Sequence, residues 1–196
     1  MSSVATKLLA ARPIATPLSP LIFMTDPKRV TDVVAAAEML PCRAAIIYRH
    51  FGSAHRCVDA EALRQVTFKR QQQFLIGDDP QLAIEVGADG VHFRRDANAA
   101  APIVWRQRCP DWLISMAGIK SGDYTGDLSV LDGLLISSIF PSQSLSAGEP
   151  IGVGALKEKT ATLPAPIFAL GGVNSKTAPK LLGSGVAGIA GIGFGA

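Results

Sequence analysis

Long apolar runs are missing from this sequence. No uninterrupted stretch reaches the roughly 20 residues that a membrane-spanning helix needs, so its 48% hydrophobic content reads as core. Cysteine is scarce: Cys42, Cys57 and Cys109 are odd in number and lack the paired close spacing of zinc sites or disulfide frameworks. They read as free thiols in a reducing compartment, which points to the cytoplasm. Clustered basic residues are also absent. A formal charge of +3 with scattered Lys and Arg argues against nucleic acid and leaves anionic small molecules open. No Asp or Glu precedes Asp26, which raises a targeting segment, but Pro13, Pro17 and Pro20 interrupt "LLAARPIATPLSPLIF" and deny it a clean apolar region. Residues 1–20 read instead as a partly ordered N-terminal arm, and 21–196 as one domain.

What is present is alternation. Short apolar runs at "PLIFMTD", "AAIIYRH", "QQFLIGDD", "GVHF", "WLISMAG", "GLLISSIFP", "PIFALGG" and "GIAGIG" are separated by helix-length intervals. Consecutive apolar residues within a run are expected of parallel strands covered on both faces. Candidate helices are Pro27 to Leu40, Asp59 to Arg70, Pro80 to Val86, Gly154 to Thr160 and Ser175 to Leu182. Eight β/α alternations predict a compact (β/α)8 TIM barrel. Against the typical length of about 250 residues, this chain must use tight loops and reduced helices, notably in "GIKSGDYTGDLSVLDG", with little room after strand eight. An open flavodoxin-like sheet is the alternative, although an early glycine-rich nucleotide fingerprint is lacking.

In a barrel of this kind the loops that follow the strands share one mouth and carry the chemistry. Strand seven runs into Gly171, Gly172 and "VNSKT", where Asn174 or Ser175 can cap a helix. Strand eight ends in "GIG", which includes Gly193. Glycines there would let an oxyanion reach backbone N–H groups. The competing reading is that they only serve tight turns.

The phrases "AIEVGADGVHF", "IFPSQS", "IFALGGV" and "GVAGIAGIG" resemble, in order and spacing, the thiamine phosphate synthase and TenI family of (β/α)8 proteins, over roughly Leu21 to Gly193. The resemblance implies a transferase that joins a hydroxymethylpyrimidine pyrophosphate to a thiazole phosphate and expels pyrophosphate. Departure of so charged a group is helped by Mg2+ and by cationic side chains aimed at the developing charge.

Carried over by the resemblance, Arg49 keeps the family's strand-two arginine, but the nearby lysine falls on Phe51 and the glutamine two before the arginine on Ile47. The Asn-Asp pair after strand three becomes Gly77 and Asp78, and the second acid aligns with Asp96. Asp78 and Asp96 are therefore the expected magnesium ligands. Ser115 keeps the strand-five hydroxyl. The T-x-T-K segment becomes Ser142, Gln143, Ser144 and Leu145, so the hydroxyls survive and the lysine does not. Arg94 and Arg95 bring charge where the family has small or neutral residues. They either turn inward and replace the missing lysines or stand solvated.

His50 follows Arg49 and is a candidate for contact with substrate. His92, in the "GVH" strand, reads as a structural hydrogen-bonding residue, and Asp89 as a turn residue. The tautomerase branch of the family has a histidine near the end of strand six, where this chain has Ser138. The leading expectation is thus a synthase-like transferase acting on phosphorylated small molecules, with no nucleic acid or membrane partner and a homo-oligomer left open. The alternatives are a diverged, non-catalytic barrel that binds a phosphorylated ligand, and an isomerase or aldolase on another phosphorylated substrate.

Overall fold

The computed structural model describes residues 15–118, 125–142 and 148–192. Eight parallel strands close into a barrel in chain order: β1 Leu21–Met24, β2 Ala45–Tyr48, β3 Gln73–Gly77, β4 Gly90–Phe93, β5 Leu113–Ala117, β6 Gly133–Ile136, β7 Ile167–Ala169 and β8 Gly188–Gly191. Pairing of Phe23 with Gly191 between β1 and β8 completes the closure. All eight predicted strands form, and the flavodoxin-like alternative falls with the closed order. Most strands end earlier than their apolar run, because the last residues of each run turn into the loops of the mouth.

Alternation along the strands sorts the core into two layers. Ile22, Met24, Ala45, Ile47, Leu75, Leu113, Leu135, Phe168 and Ala190 form one buried cluster inside the barrel. Phe23, Ile46, Tyr48, Phe74, Ile76, Val91 and their neighbours form the other, between sheet and helices. Burial of both faces is why the strands read as continuous apolar runs. At the end opposite the mouth, Leu18 plugs the interior, 1% exposed. A Cβ on Gly133 would lie 2.7 Å from Leu18 Cδ2 and one on Gly188 2.7 Å from Phe168 Cε1, so the two glycines leave room for the side chains that fill the barrel. The plug is tied down: Ser19 N–H donates to Gln73 Oε1 at 2.7 Å, Gln73 Nε2 donates to Pro17 O at 2.8 Å, and Thr16 Oγ1 donates to Asp132 O at 2.6 Å.

Among the described residues the helical layer is uneven. It consists of α1 Val33–Met39, α2 Arg56–Lys69, α3 Pro80–Glu85, α4 Ala101–Arg108 and α5 Gly152–Thr162. The first begins later than the predicted Pro27, because Asp26 closes a turn with Lys28, Arg29 and Val30 and Asp32 then caps the helix through Ala35 N–H at 2.9 Å. Asp79 caps α3 through Leu82 N–H at 3.0 Å, with Pro80 in the first turn. The predicted helix at Ser175–Leu182 reduces to a 3-10 turn over Ala178–Leu181. Asn174 Oδ1 accepts from the N–H groups of Lys176 and Thr177, an Asx arrangement that competes with helical bonding. Helix α4 is absent from the sequence-based expectation; its signal is weak, with Pro102 in its first turn and little apolar periodicity. No helix among the described residues is long and apolar enough to cross a membrane.

Candidate functional site

Arg49 directly follows β2 and shares the inward parity of Ala45 and Ile47. Its N–H donates to Thr25 Oγ1 at 2.8 Å and its Nε to Thr25 O at 3.0 Å. Among the described residues its two Nη atoms have no partner, and no carboxylate pairs with it. Burial lowers its pKa from the ordinary arginine value, and only the field of Asp26 acts the other way. A half-buried guanidinium held by one nitrogen and open at its other two can receive an anion.

His92 and Ser115 are opposed in the β4–β5 register and both point inward. His92 Nδ1 lies 2.9 Å from Ser115 Oγ, and both side chains are buried. Burial pushes the His92 pKa down to about 3, helped by the nearby charge of Arg49. The imidazole is therefore neutral near pH 7. Arg49 and Ser115, two of the expected site residues, thus converge with His92, whose structural hydrogen bond the sequence reading anticipates. His50 does not join them. Its ring packs 5.0 Å from that of Tyr48 in the outer layer, and burial lowers its pKa. The two-residue period of β2 carries the signal: if Arg49 faces inward, His50 faces outward. Thr25, the anchor of Arg49, is a contributor that sequence reasoning missed.

The corner after β2, β3 and β4 differs most from the resemblance. Arg94 Nε donates to Asp78 Oδ2 at 2.7 Å, the Arg94 N–H reaches Asp78 Oδ1 at 3.4 Å, and Asp96 Oδ1 lies 3.9 Å from the same Nε. Asp78 adopts φ +54°, a conformation that Asp tolerates better than most residues, and its own N–H donates to His92 O at 2.8 Å. Both carboxylates expected to hold magnesium therefore face a guanidinium. No group of three or more His, Cys, Asp or Glu suited to a metal exists among the described residues. Magnesium can be held by as few as one or two carboxylates together with substrate phosphates, but here both carboxylates already face the Arg94 guanidinium, and as arranged they do not fit a divalent cation.

Phe51 completes this corner. Its ring lies 5.4 Å from Arg56 Cζ and 5.9 Å from Arg94 Cζ. A Cβ on Gly77 would lie 2.9 Å from Tyr48 O and 3.2 Å from both Arg49 Cγ and Phe51 Cζ, so the β2 backbone confines this position first and the two side chains tighten it further. Arg56 spends its fork structurally, with Nη2 donating to Gly77 O at 2.7 Å and Nη1 3.4 Å from Asp79 Oδ2. Arg95 resembles Arg49: its Nε donates to Gly118 O at 2.6 Å, and its Nη atoms have no partner among the described residues.

Across the mouth, Gly171 and Gly172 have φ of +87° and +67°. A Cβ on Gly172 would overlap Pro141 O, and one on Gly171 would lie 2.9 Å from Ser138 Cα. Close approach of the β6 loop, fixed by Phe140 N–H donating to Gly171 O at 3.0 Å, is enough to require glycine at both positions. The turn-and-packing reading of these glycines thus has direct support. Ser142 lies at the end of the same loop. Ser144, Leu145 and Gly193 lie outside the described residues.

The thiamine monophosphate synthase (TMP-TENI) family model matches residues 21–193. A putative thiamine-phosphate synthase from Geobacter sulfurreducens is 31% identical over 67% of this chain and 62% of its own length. The chain spans about three fifths of the length of that relative and of Listeria monocytogenes relatives. A thiamine-phosphate synthase from Chlorobium phaeovibrioides is 26% identical over 89% of this chain and 85% of its own. Among solved structures, thiamine phosphate pyrophosphorylase from Pyrococcus furiosus superposes with a TM-score of 0.67 at 26% identity, covering 88% of this chain and 84% of that one. With the match running the full length of the barrel, from β1 past the end of β8, the chain belongs to the thiamine monophosphate synthase family.

Proposed function

We propose that the chain is a thiamine-phosphate-synthase-like transferase, whose mouth binds a pyrimidine methyl pyrophosphate and a thiazole phosphate. The observation that carries this reading is Arg49: a half-buried guanidinium at the mouth, anchored through Nε, with two nitrogens unpaired among the described residues and no carboxylate on it. In the proposed reaction the thiazole nitrogen lone pair attacks the pyrimidine methylene carbon as the bond to the pyrophosphate oxygen breaks, and pyrophosphate leaves with those electrons. Arg49 neutralises charge that grows on the leaving oxygens. Ser115, buried and held by neutral His92, lies beneath the site as a fixed polar group that a ligand could reach only if that hydrogen bond opened. Gly171 and Gly172 flank the same mouth as candidate backbone donors for the thiazole phosphate, with Ser142, Ser144 and Gly193 as further candidates. Magnesium, which the resemblance implies, would meet Asp78 and Asp96 already facing Arg94.

Incubation of the purified chain with both thiamine precursors tests the reading. Thiamine phosphate and pyrophosphate should appear in equal amounts, and Arg49→Met should reduce the rate by on the order of a hundredfold. A second reading, a diverged barrel that binds a phosphorylated ligand without catalysis, is favoured by Phe51 in the lysine position. It gains if wild type binds pyrophosphate and forms no product.

A further inference from the structure

We propose that Arg94 takes the cation position of this mouth, so that a phosphate or pyrophosphate group binds a guanidinium mounted on Asp78 and needs no divalent cation. The inference rests on the reading that the mouth accepts a phosphorylated ligand, and it adds how the charge of that ligand is met.

Three arginines at the mouth share one mode of attachment. Arg49, Arg94 and Arg95 are each hydrogen-bonded through Nε, to Thr25 O, Asp78 Oδ2 and Gly118 O respectively. Among the described residues none has a hydrogen-bond partner at either Nη. Arginines elsewhere in the fold behave differently. Arg106 commits Nε and both Nη atoms to Val130 O, Pro110 O, Trp112 O and Asp132, and Arg56 commits both Nη atoms. Anchoring by Nε alone fixes the plane of a guanidinium and leaves its paired amino groups for a bidentate oxyanion.

Arg94 also has the features of a replacement for a metal. It is bracketed by both carboxylates that would otherwise ligate one, at 2.7 and 3.9 Å. A divalent cation bound to these carboxylates would either displace the guanidinium from Asp78 Oδ2 or sit beside its positive charge, and both are unfavourable. The neighbouring departures agree with that arrangement. Phe51 lies under Arg94 where a lysine would repel it, and its ring borders Gly77, a position that Tyr48 O already keeps narrow. Residues 51, 77 and 94 thus form one rebuilt corner in which a fixed side-chain cation replaces a lysine–metal pair.

The test is calorimetric titration of the whole chain with inorganic pyrophosphate, once in EDTA and once in magnesium, with manganese binding to the ligand-free chain followed by electron paramagnetic resonance. Wild type should bind pyrophosphate in EDTA, with affinity within about threefold of that in magnesium, and should show no manganese site. Arg94→Ala should lose about tenfold or more of the metal-free affinity, as expected for a charge-assisted hydrogen bond, and Arg94→Lys should retain part of it. The Arg94 side chain is 59% exposed, so these variants should fold, which a thermal melt checks. Wild-type binding that requires magnesium, or Arg94→Ala binding as well as wild type in EDTA, overturns the inference and leaves the proposed function standing. Absence of pyrophosphate binding in every condition overturns both.

Discussion

His92 Nδ1 and Ser115 Oγ face each other at 2.9 Å inside the barrel, one rung below the mouth, where no charged imidazole is tolerated. The consequence is a pH dependence of stability with a defined sign. Above about pH 6.5 the imidazole is neutral in both folded and unfolded chains. Between there and about pH 3 the unfolded chain binds a proton that folded His92 refuses. Stability should therefore fall with pH across that window, by up to about 1.4 kcal/mol per pH unit from this group. His50, also lowered by burial, adds in the same direction. Urea unfolding of wild type and His92→Gln at pH 7.5 and pH 4.5 checks this. The gap between the two proteins should change by roughly 2 kcal/mol in favour of the variant at the lower pH, and parallel pH profiles would contradict the assigned burial of charge.

Gly172→Ala is expected to destabilise the barrel by about 1–3 kcal/mol, since it combines a positive φ with backbone overlap. The added Cβ would meet Pro141 O and Phe140 O, neither of which is a flexible side-chain end. Thermal melting should show the effect. A melting temperature equal to that of wild type would mean that the β6 and β7 loops do not touch.

Much of this was legible in the sequence, for reasons that particular residues make plain. The strands could be read because both faces of each are buried, so Ala45 to Tyr48 or Phe74 to Ile76 had to be apolar throughout. Arg49 and Ser115 were legible through the resemblance, and strand parity confirms that they point inward. Parity also separates His50 from them, a distinction that linear proximity to Arg49 conceals. The resemblance pointed to Asp78 and Asp96, but not to their pairing, because a local alignment cannot show that Arg94 folds back 16 positions to bond Asp78. Helix Ala101–Arg108 escaped because its apolar contacts, Ala101, Pro102 and Trp105, are too few to make a periodic stripe.

Arg106 on that helix supports the third prediction. Arg106 Nη2 donates to Asp132 Oδ2 at 2.6 Å while Ile114 N–H donates to the same oxygen at 2.8 Å, which joins α4, β5 and the start of β6. Both partners are mostly buried, with side chains 27% and 15% exposed. Arg106→Met would keep much of the packing, leave Asp132 without its cation and free the carbonyls of Val130 and Trp112. We expect a destabilisation on the order of 2–4 kcal/mol, read from the urea midpoint. Asp132→Asn should cost less, because an amide oxygen still accepts from Ile114 N–H. An equal or larger effect in Asp132→Asn would show that the arginine is not the main tie.

The last prediction concerns the lysine that the family has where this chain has Phe51. If single residues of a family site could be restored independently, Phe51→Lys would strengthen the binding of pyrophosphate. The surroundings argue otherwise. An ammonium group there would face the guanidinium groups of Arg56 and Arg94, which now lie 5.4 and 5.9 Å from the Phe51 ring. Repulsion from the exposed Arg94 is screened to roughly 1 kcal/mol or less, the more buried Arg56 is screened less, and removing each cation–π interaction costs about 0.5–1 kcal/mol. Phe51→Lys alone should therefore lower the melting temperature slightly and raise neither pyrophosphate affinity nor turnover. Combined with Arg94→Gly, which frees Asp78 and removes the competing cation, the lysine should restore a binding mode that depends on magnesium. Four proteins decide it: wild type, each single variant and the double, titrated with pyrophosphate with and without magnesium. If Phe51→Lys by itself tightens binding tenfold, the corner is not a unit and the arginine, phenylalanine and glycine at 94, 51 and 77 are independent substitutions.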